Sequence, residues 1–365
     1  MLFPGPKYTY EQDFKYRLEQ LSKQFCGVVI TSTPEAVNKK FGDFTLRTYK
    51  HPEKGKLLFH VKYSIWVLLY AISERARKSG VSLVISYDPL LTGLLGLIVA
   101  KILGVKFMTE LNGDYADKYN YCDQANKSVA VIKRFIYTRL AKFVLRKSDG
   151  IRQIYPKQMY YLDKPASAKI ITLFDYVDLR GFENLGEDKI ILFAGFPFYR
   201  KGVDVLIKAF KIASKDYPDW ELKILGWFPD MKELNECISG HPGIFHHPPV
   251  PHKEMPIHVG RCAFVVLPSR SEGLARILLE AMVAGKPRIG SKVSGTPAAI
   301  NDNEDGLLFE SENHVELADK MKLLMSDAGL REKLGNQAHK RALHEFSLER
   351  YFREIMEFYS SLIRE

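Results

Sequence analysis

Cysteine is scarce in this chain of 365 residues, and long apolar runs are absent. The four cysteines, Cys26, Cys122, Cys237 and Cys262, lie far apart without a Cys-x-x-Cys pair, which excludes a disulfide scaffold and a zinc ribbon. The longest apolar stretch, residues 90–105, is interrupted by a lysine and is shorter than the roughly 20 residues of a membrane span. The first residues lack a basic segment followed by an apolar one, so we expect no secretory signal and a reduced, cytoplasmic protein.

Glycine and proline are also few, at 25 and 18 residues, while 46% of the residues are hydrophobic. These values exclude collagen-like, proline-rich and disordered proteins. The charge is unevenly divided: residues 1–182 contain 29 Lys and Arg against 16 Asp and Glu, a net charge of +13, whereas residues 183–365 contain 24 against 27, a net charge of −3. We therefore expect the first half to meet an anionic partner, which could be nucleic acid, a phospholipid surface or a phosphorylated substrate.

Short apolar runs alternate with longer segments of helical period, the pattern of parallel βαβ units with helices on both faces of a sheet. The predicted strands are 27–31, 82–87, 106–110, 150–155, 169–174, 190–195, 221–226, 263–268 and 287–290. The predicted helices are 63–78, 91–103, 129–147, 203–215, 229–239, 277–284, 314–325 and 330–344. A polar segment at 178–188 separates the two series. We predict two doubly wound α/β domains, over residues 1–182 and 183–345, with the active site between them at the carboxyl ends of the strands.

The junction around Glu272 contains several candidate site residues. A predicted strand ends in a loop with Glu272 and Gly273, and a helix follows at once. The amides around Leu274 and Ala275 would then be free helix-terminal donors for a phosphate. Glu280 follows Glu272 after seven intervening residues, and carboxylates beside a phosphate site accept hydrogen bonds from sugar hydroxyls. Taken alone, Glu272 could instead cap the helix, and Glu280 could be a solvated surface acid.

A second strand–loop–helix junction extends from Gly195 to Gly202. It places Arg200 and Lys201 side by side at the start of the helix. Two cations beside free amides would neutralise a diphosphate and stabilise it as it departs. An isolated pair of basic residues in a loop is more often simply solvated.

Taken together, these motifs resemble those of the retaining glycosyltransferases of family four, also called glycosyl transferases group 1. Residues 272–280 resemble the E-x7-E signature of the family, and residues 195–202 resemble its G-R-x4-K-G loop. Residues 294–297 and 305–308 are similar to two further loops of its second domain. The resemblance implies a GT-B architecture of two Rossmann-like domains facing a cleft, with a last helix, 346–365, that crosses back to the first domain.

The resemblance also implies a donor, a nucleotide-diphosphate sugar that acts as a co-substrate, and no metal ion or other cofactor. Arg200, Lys201 and Glu272 would be the catalytic residues, the cations at the diphosphate and the acid at the transferred sugar. Glu280 would bind the ribose. The remaining substrate-binding residues implied are Gly195, Gly273, Leu274, Ala275 and Val250 on the donor side, and Asn112 and Asp114 on the acceptor side.

Three departures from the family pattern leave an alternative open. Phe196 stands where an arginine is usual, Asn112 stands where a histidine is common, and only Gly5 lies near the position of a Gly-Gly loop. An amide can orient a hydroxyl group but cannot act as a base. A non-catalytic sugar-nucleotide-binding subunit of the same fold is therefore the alternative to a transferase.

Five histidines fall within 18 residues and need a separate explanation. Proximity of this kind can mark a metal site, but five prolines are interspersed among them, which indicates a loop and favours a pocket for the nucleotide base over a metal site. The histidines are His241, His246, His247, His252 and His258.

The segment 127–147 contains seven Lys and Arg residues among apolar ones. A basic amphipathic helix of this kind can lie on an anionic membrane, although an ordinary helix that packs its apolar face on a sheet has the same pattern. We expect the first half to bind a glycan or lipid-linked acceptor, with peripheral association at the cytoplasmic face of a membrane. No nucleic-acid-binding module is recognisable, so we expect no nucleic acid partner.

Overall fold

The computed structural model describes residues 12–50, 56–122, 126–162, 167–174, 180–228 and 231–364. Gly5 and the first residues of the predicted interdomain segment, 178 and 179, lie outside the described residues. The chain divides into two compact units. Unit 1 comprises Met1–Ala116, Lys133–Phe174 and Leu348–Glu365, and unit 2 comprises Asp117–Ile132 and Asp175–Ser347.

Strands and helices alternate along most of the chain. The elements of its first half are α1 (Gln12–Leu21), β1 (Gly27–Thr33), β2 (Asn38–Phe41), β3 (Phe44–Lys50), α2 (Lys56–Ala76), β4 (Leu83–Ser86), α3 (Leu91–Leu103), β5 (Lys106–Leu111), α4 (Lys127–Lys147), β6 (Gly150–Gln153) and β7 (Lys169–Thr172). A short 3₁₀ helix, Lys118–Tyr121, precedes α4.

The second half continues the alternation and ends with three consecutive helices. Its elements are β8 (Ile190–Ala194), α5 (Val203–Ala213), β9 (Glu221–Leu225), α6 (Met231–Ile238), β10 (Ile244–His247), α7 (Met255–Arg261), β11 (Phe264–Leu267), α8 (Arg276–Val283), β12 (Arg288–Ser291), α9 (Thr296–Ala299), β13 (Leu307–Phe309), α10 (His314–Ser326), α11 (Ala328–Glu345) and α12 (Leu348–Ile363).

Unit 1 contains a parallel sheet of order β4-β5-β6-β7 and a smaller sheet of order β1-β3-β2. In the first, Ile85 lies opposite Met108, and Thr109 lies opposite Ile151. In the second, β1 and β3 are parallel while β2 and β3 form an antiparallel hairpin. The sequence prediction missed this hairpin, because β2 is polar and exposed.

Unit 2 is built on a six-stranded sheet of order β10-β9-β8-β11-β12-β13 in which all paired strands are parallel. Its central strands are buried on both faces, as Leu192, Val265 and Ile289 show, and this explains their continuous apolar sequences. Apart from the β2–β3 hairpin, the paired strands of both units are parallel and alternate with helices, and the predicted fold class of two Rossmann-like domains is confirmed.

Helix α12 packs within unit 1, as the family resemblance implied. Its buried face consists of Tyr351, Phe352, Ile355, Tyr359 and Leu362. The side chain of Leu362 lies so close to the backbone of Gly150 that a Cβ atom there would approach Leu362 Cδ1 to 2.5 Å. The spacing of these side chains at three and four residues explains why the helix was predictable.

Helix α4 is divided in its packing. Ala141, Val144 and Leu145 near its end are buried, whereas its first half has exposed apolar side chains, including Ile132 and Phe135. The interpretation that this helix merely packs its apolar face on the sheet is therefore wrong for its first half. Across the residues that the structure describes, no helix combines the length and apolarity needed to cross a bilayer.

Candidate active site

The order of strands in unit 2 identifies the edge at which a ligand is expected. From β8 the chain proceeds outward to β9 and β10, then returns to the other side of β8 for β11, β12 and β13. The switch point therefore lies between β8 and β11, and in open parallel sheets ligands bind outside the carboxyl ends of the strands at such a point. The loops that follow these two strands are the ones predicted from sequence, 195–202 and 268–275.

The loop after β8 is constrained by close backbone packing. Gly202 has φ +67°, and a Cβ atom there would lie 2.0 Å from the carbonyl oxygen of Pro268. Only glycine fits this approach of the two loops. At the start of the loop, the amide of Gly195 donates to Leu225 O at 3.0 Å. A Cβ atom at Gly195 would contact the aliphatic carbons Cδ and Cε of the Lys201 side chain.

Lys201 and Glu272 form an ion pair between Lys201 Nζ and Glu272 Oε2. Both side chains are buried, although they are 71 residues apart in sequence. Ser269 Oγ donates to the same carboxylate oxygen at 3.2 Å. The backbone carbonyl of Glu272 accepts a hydrogen bond from the amide of Gly295, so this acid is fixed in the loop and does not cap the helix with its side chain.

Arg270 joins the two loops, a role that sequence reasoning missed. Its guanidinium donates twice to the Asp204 carboxylate at 2.8 Å and once to Tyr199 O at 2.6 Å. Its amide donates to the carbonyl oxygen of Arg200 at 2.8 Å. Glu312 binds the remaining edge of the guanidinium. The planar fork of arginine satisfies several acceptors at once, so Arg270 is a positioning residue for the loop that contains the predicted cations.

The loop after β11 presents unpaired amides at the start of α8. Within the described part of the chain, the backbone N–H groups of Gly273, Leu274 and Ala275 donate to no protein acceptor. Ala275 is the N-cap of the helix and has an extended backbone conformation. Free donors beside a helix N-terminus are able to bind an anion, so the geometry of this loop is compatible with the predicted phosphate site.

Glu280 is buried on α8 and bonded to one of the clustered histidines. His252 Nε2 lies 2.9 Å from Glu280 Oε1, with the histidine about half exposed and the acid almost fully buried. Burial raises the pKa of Glu280, although its hydrogen bond to His252 and the charges of His252 and Arg276 act in the opposite direction. The expectation of a solvated surface acid is therefore wrong.

The ends of β9 and β10 form the region predicted for the nucleotide base. Val250 is half-buried against the core, and His246 Nε2 lies 2.9 Å from the carbonyl oxygen of Gly226. The exposed rings of Phe196 and Trp227 contact each other, with centroids 6.4 Å apart. The region therefore offers flat aromatic surfaces and backbone groups of the kind that bind a base.

The clustered histidines occupy separate environments. His241 bonds to Ser214, His246 to Gly226 and His252 to Glu280. Among the residues that the structure describes, no three His, Cys, Asp or Glu side chains are arranged to hold a metal ion.

In unit 1 the predicted acceptor residues Asn112 and Asp114 follow β5 and are held by protein contacts. Asn112 accepts from Arg152 at 2.5 Å and donates to the carbonyl oxygen of Tyr87 at 2.6 Å. The carboxylate of Asp114 accepts from the amide of Ala116 at 3.0 Å. Both side chains therefore stabilise the loop. The Nδ2 and Oδ1 atoms of Asn112 each have a hydrogen-bond partner within the protein.

Arg152 also belongs to a buried network around Glu110 in unit 1. Glu110 accepts from Arg17 at 2.7 Å and from Arg152 at 3.1 Å. Burial opposes ionisation of the Glu110 carboxyl, but the two guanidinium groups outweigh it and hold its pKa below the usual range. Tyr359 of α12 lies 3.4 Å from the same carboxylate.

A cavity of about 470 Å³ opens at the carboxyl end of β3 and was not predicted. It is lined by Ala36, Thr48, Tyr49, Lys50 and Trp66. The rings of Tyr49 and Trp66 lie 5.5 Å apart. Aromatic faces with an adjacent lysine suit a sugar or an anionic headgroup.

The structure thus brings most of the predicted donor residues to one edge of unit 2. Lys201 and Glu272 are paired, and the amides of Gly273, Leu274 and Ala275 belong to the same loop as Glu272. Arg200 is half-buried, and no side-chain partner of it occurs in the described ranges. Asp305, from the loop at 305–308, is instead a buried acceptor for Arg288 and Arg341.

Comparison with known proteins bears on the family and the fold of the chain. Residues 178–341 match the family model for glycosyl transferases group 1. The chain is 24% identical, over 99% of its length and 98% of the other protein, to an uncharacterized glycosyltransferase of Methanocaldococcus jannaschii.

Two solved structures are similar in fold over nearly the whole chain. Sucrose-phosphate synthase from Thermosynechococcus elongatus is 15% identical with a TM-score of 0.77, and the match covers 100% of this chain and 99% of that one. HepE of Anabaena in complex with UDP and glucose is also 15% identical, with a TM-score of 0.73 and coverage of 99% of both chains. The shared fold is GT-B.

Proposed function

We propose that the protein is a retaining, metal-independent glycosyltransferase, because residues 178–341 match the family model for glycosyl transferases group 1. It moves a sugar from a nucleotide-diphosphate donor to a hydroxyl group of an acceptor. The acceptor is a lipid-linked or cell-surface glycan precursor bound by unit 1, and the protein works at the cytoplasmic face of a membrane.

The observation that carries the proposal is the buried Lys201–Glu272 pair beside three unpaired amides at the switch point of the unit 2 sheet. A lysine that is already paired with a carboxylate can exchange that partner for a diphosphate without the need to desolvate again. The UDP and glucose in the HepE complex support a nucleotide-diphosphate sugar as the donor.

In the proposed reaction the bond between the anomeric carbon and the diphosphate oxygen breaks, and the acceptor oxygen bonds to the same face of that carbon. The proton of the acceptor hydroxyl passes to the departing diphosphate. Lys201, Arg200 and the amides of the loop 273–275 stabilise the negative charge that develops there. Glu272 orients the sugar, and Glu280 binds the ribose.

The diphosphate role of Lys201 is tested by Lys201→Ala, with Lys208→Ala on the exposed surface of α5 as the matched control. We expect kcat with a verified donor to fall at least about a hundredfold for Lys201→Ala, as for the loss of one preorganised charge at a leaving group, and to stay near wild type for Lys208→Ala. Steady-state kinetics provides the measurement. Normal turnover of the Lys201 variant would show that the site is wrongly assigned.

The alternative, a non-catalytic sugar-nucleotide-binding subunit, is favoured by the engagement of both ends of the Asn112 amide with protein groups. Donor hydrolysis distinguishes the two functions, because a catalytic site transfers some sugar to water and a binding subunit does not. Slow release of free sugar that Lys201→Ala abolishes would support the transferase. Tight donor binding without any hydrolysis or transfer would support the subunit.

A further inference from the structure

A stripe of exposed apolar side chains extends along α2. Its five members are between 51 and 61% exposed and are spaced by three, four, four and three residues, so they lie on one side of the helix. They are Leu58, Val61, Ile65, Leu69 and Ile72. Over this span the stripe is about 21 Å long. The opposite side of α2, with Phe59, Tyr63, Val67 and Ala71, is buried in the core, so the stripe is additional to the residues that hold the helix in place.

Helix α3 and the part of α4 that belongs to unit 1, residues 133–147, continue the same layer of unit 1. Helix α2 packs against α3. Helix α3 in turn lies close to α4, because a Cβ atom at Gly93 would approach Val144 Cγ1 to 2.9 Å. All three helices contribute to one hydrophobic core. We call this layer the α2–α4 layer. Within unit 1, the exposed large apolar side chains on the other two helices of the layer are Leu91 and Ile98 on α3 and Phe135, Ile136 and Phe143 on α4.

The charge of the α2–α4 layer is almost entirely positive. Three Lys and Arg residues lie in α2, one in α3 and six in residues 133–147 of α4, and Glu74 is the single acidic residue in the sequences of these segments. On α4 the basic and apolar residues share the exposed side, since Arg139 lies over the ring of Phe135 at 4.7 Å. A protein surface seldom exposes this many large apolar side chains without a partner.

We propose that the α2–α4 layer docks on the surface of an anionic bilayer. The apolar side chains enter the boundary between headgroups and acyl chains, and the Lys and Arg residues bind anionic headgroups. Charge complementarity selects this partner, because a second copy of the chain would bring the same positive layer against itself. The helices lie on the bilayer and do not cross it, because none of the described helices is both long and apolar enough to span a membrane.

This docking surface rests on the proposed membrane location and deepens it, because it names the residues that bind the membrane; it does not depend on the transferase chemistry. The donor residues lie in unit 2, whereas the stripe on α2 lies in unit 1. Helix α2 also supplies Trp66 to the cavity beside β3, so an anionic headgroup near the stripe would be close to that cavity.

The test is co-sedimentation of the full chain with phosphatidylcholine vesicles, with and without phosphatidylglycerol, over a series of NaCl concentrations. We expect binding to the anionic vesicles alone, weakening as salt increases. Ile65→Ser with Leu69→Ser should lower the partition coefficient by at least about tenfold. Arg134→Gln with Arg139→Gln should lower it by about 30-fold, since each basic residue near the surface contributes roughly a factor of five.

The matched control is Val315→Ser with Leu343→Ser, two equally exposed apolar residues on helices of unit 2. This variant should bind vesicles like the wild type. Equal binding of wild type to neutral and anionic vesicles would overturn the proposal, as would wild-type binding by both α2 and α4 variants. If the α2 variant changed only the sedimentation coefficient of the free protein, the occupant would be a second copy and the proposal would be wrong. Calorimetry with UDP on the same variants tests the donor site independently.

Discussion

Gly202 shows how one residue type is dictated by two separate constraints. Its φ of +67° lies in the left-handed region, and its Cα faces the carbonyl oxygen of Pro268 at a distance that leaves no space for a methyl group. The motif position that suggested a phosphate loop is therefore also a packing requirement between the loops after β8 and β11.

We expect Gly202→Ala to lower the free energy of unfolding by more than about 3 kcal/mol, because a left-handed alanine costs about 1–2 kcal/mol and the clash adds to it. Gly240→Ala is the matched control, since Gly240 has φ +69° with nothing within 4 Å of a Cβ atom. It should show the left-handed cost alone. Urea unfolding measures the free energy of unfolding of both variants. An equal decrease in the two would mean that the loops after β8 and β11 can move apart without loss of stability, contrary to the prediction.

Glu280 provides a pH-dependent signature of donor binding. Burial raises its pKa, so as the pH falls Glu280 takes up a proton before an ordinary glutamate does. A protonated carboxyl loses acceptor capacity toward ribose hydroxyls. The affinity for UDP should therefore decrease toward acid pH more steeply in wild type than in Glu280→Gln, as titration calorimetry at several pH values can show. Parallel pH profiles would remove Glu280 from the donor site.

The stability change has the opposite sign, since the raised pKa means that folding disfavours the ionised form. The stability that protonated Glu280 contributes is present below the unfolded pKa and is lost as pH rises through the folded pKa. Glu280→Gln should therefore unfold at higher urea concentration than wild type at neutral pH. The pH dependence of UDP affinity reports on the binding role of Glu280, and the stability toward urea reports on the free energy of burying its carboxylate.

At the scale of elements, α12 is held in unit 1 by a few buried side chains. Leu362 is 1% exposed and fills the space above Gly150, whereas its neighbour Ile363 is 38% exposed. We expect Leu362→Ala to destabilise unit 1 by about 3 kcal/mol through lost burial and the cavity it leaves. Ile363→Ala, the matched control, should cost less than about 1 kcal/mol. Thermal unfolding with limited proteolysis of unit 1 provides the measurement, and similar values would show that α12 is loosely attached.

Elements with a strong apolar period were predictable, and those defined by long-range pairing were not. Helix α3 has the predicted bounds, and α12 has the predicted buried face. The hairpin of β2 and β3 was missed, although Phe44, Leu46 and Thr48 alternate in burial along β3. That alternation, with the half-buried Thr45 and Arg47 between the buried positions, is the one local signal that could have revealed it.

Some residues of the candidate site were likewise predictable from local sequence, and others were not. The loops with Lys201 and Glu272 could be identified because glycines and helix starts leave local signals in sequence. The roles of Arg270 and His252 could not, since each depends on a partner that only the folded chain brings near: Asp204 for the first and Glu280 for the second. The exposure of Phe135 likewise follows from the position of α4 in the fold and not from its period.

At the scale of the whole molecule, the uneven charge found in the sequence is concentrated in one layer. The six basic residues of α4 between positions 133 and 147 and the apolar stripe of α2 belong to one helical layer of unit 1, while the proposed unit 2 site relies on a few placed cations such as Lys201. The excess of positive charge and the donor chemistry are thus separate properties of the chain, and salt should weaken the first far more than the second.

The placement of α12 also determines the order in which the protein can form during its synthesis. A ribosome releases most residues of unit 1 first, yet Tyr359 and Leu362, which complete the surroundings of Glu110 and Gly150, emerge after all of unit 2. Unit 2 can close as soon as residue 347 is free, because domains fold as units while the chain grows. The unit begun first is therefore completed only after all residues of unit 2 have been synthesised.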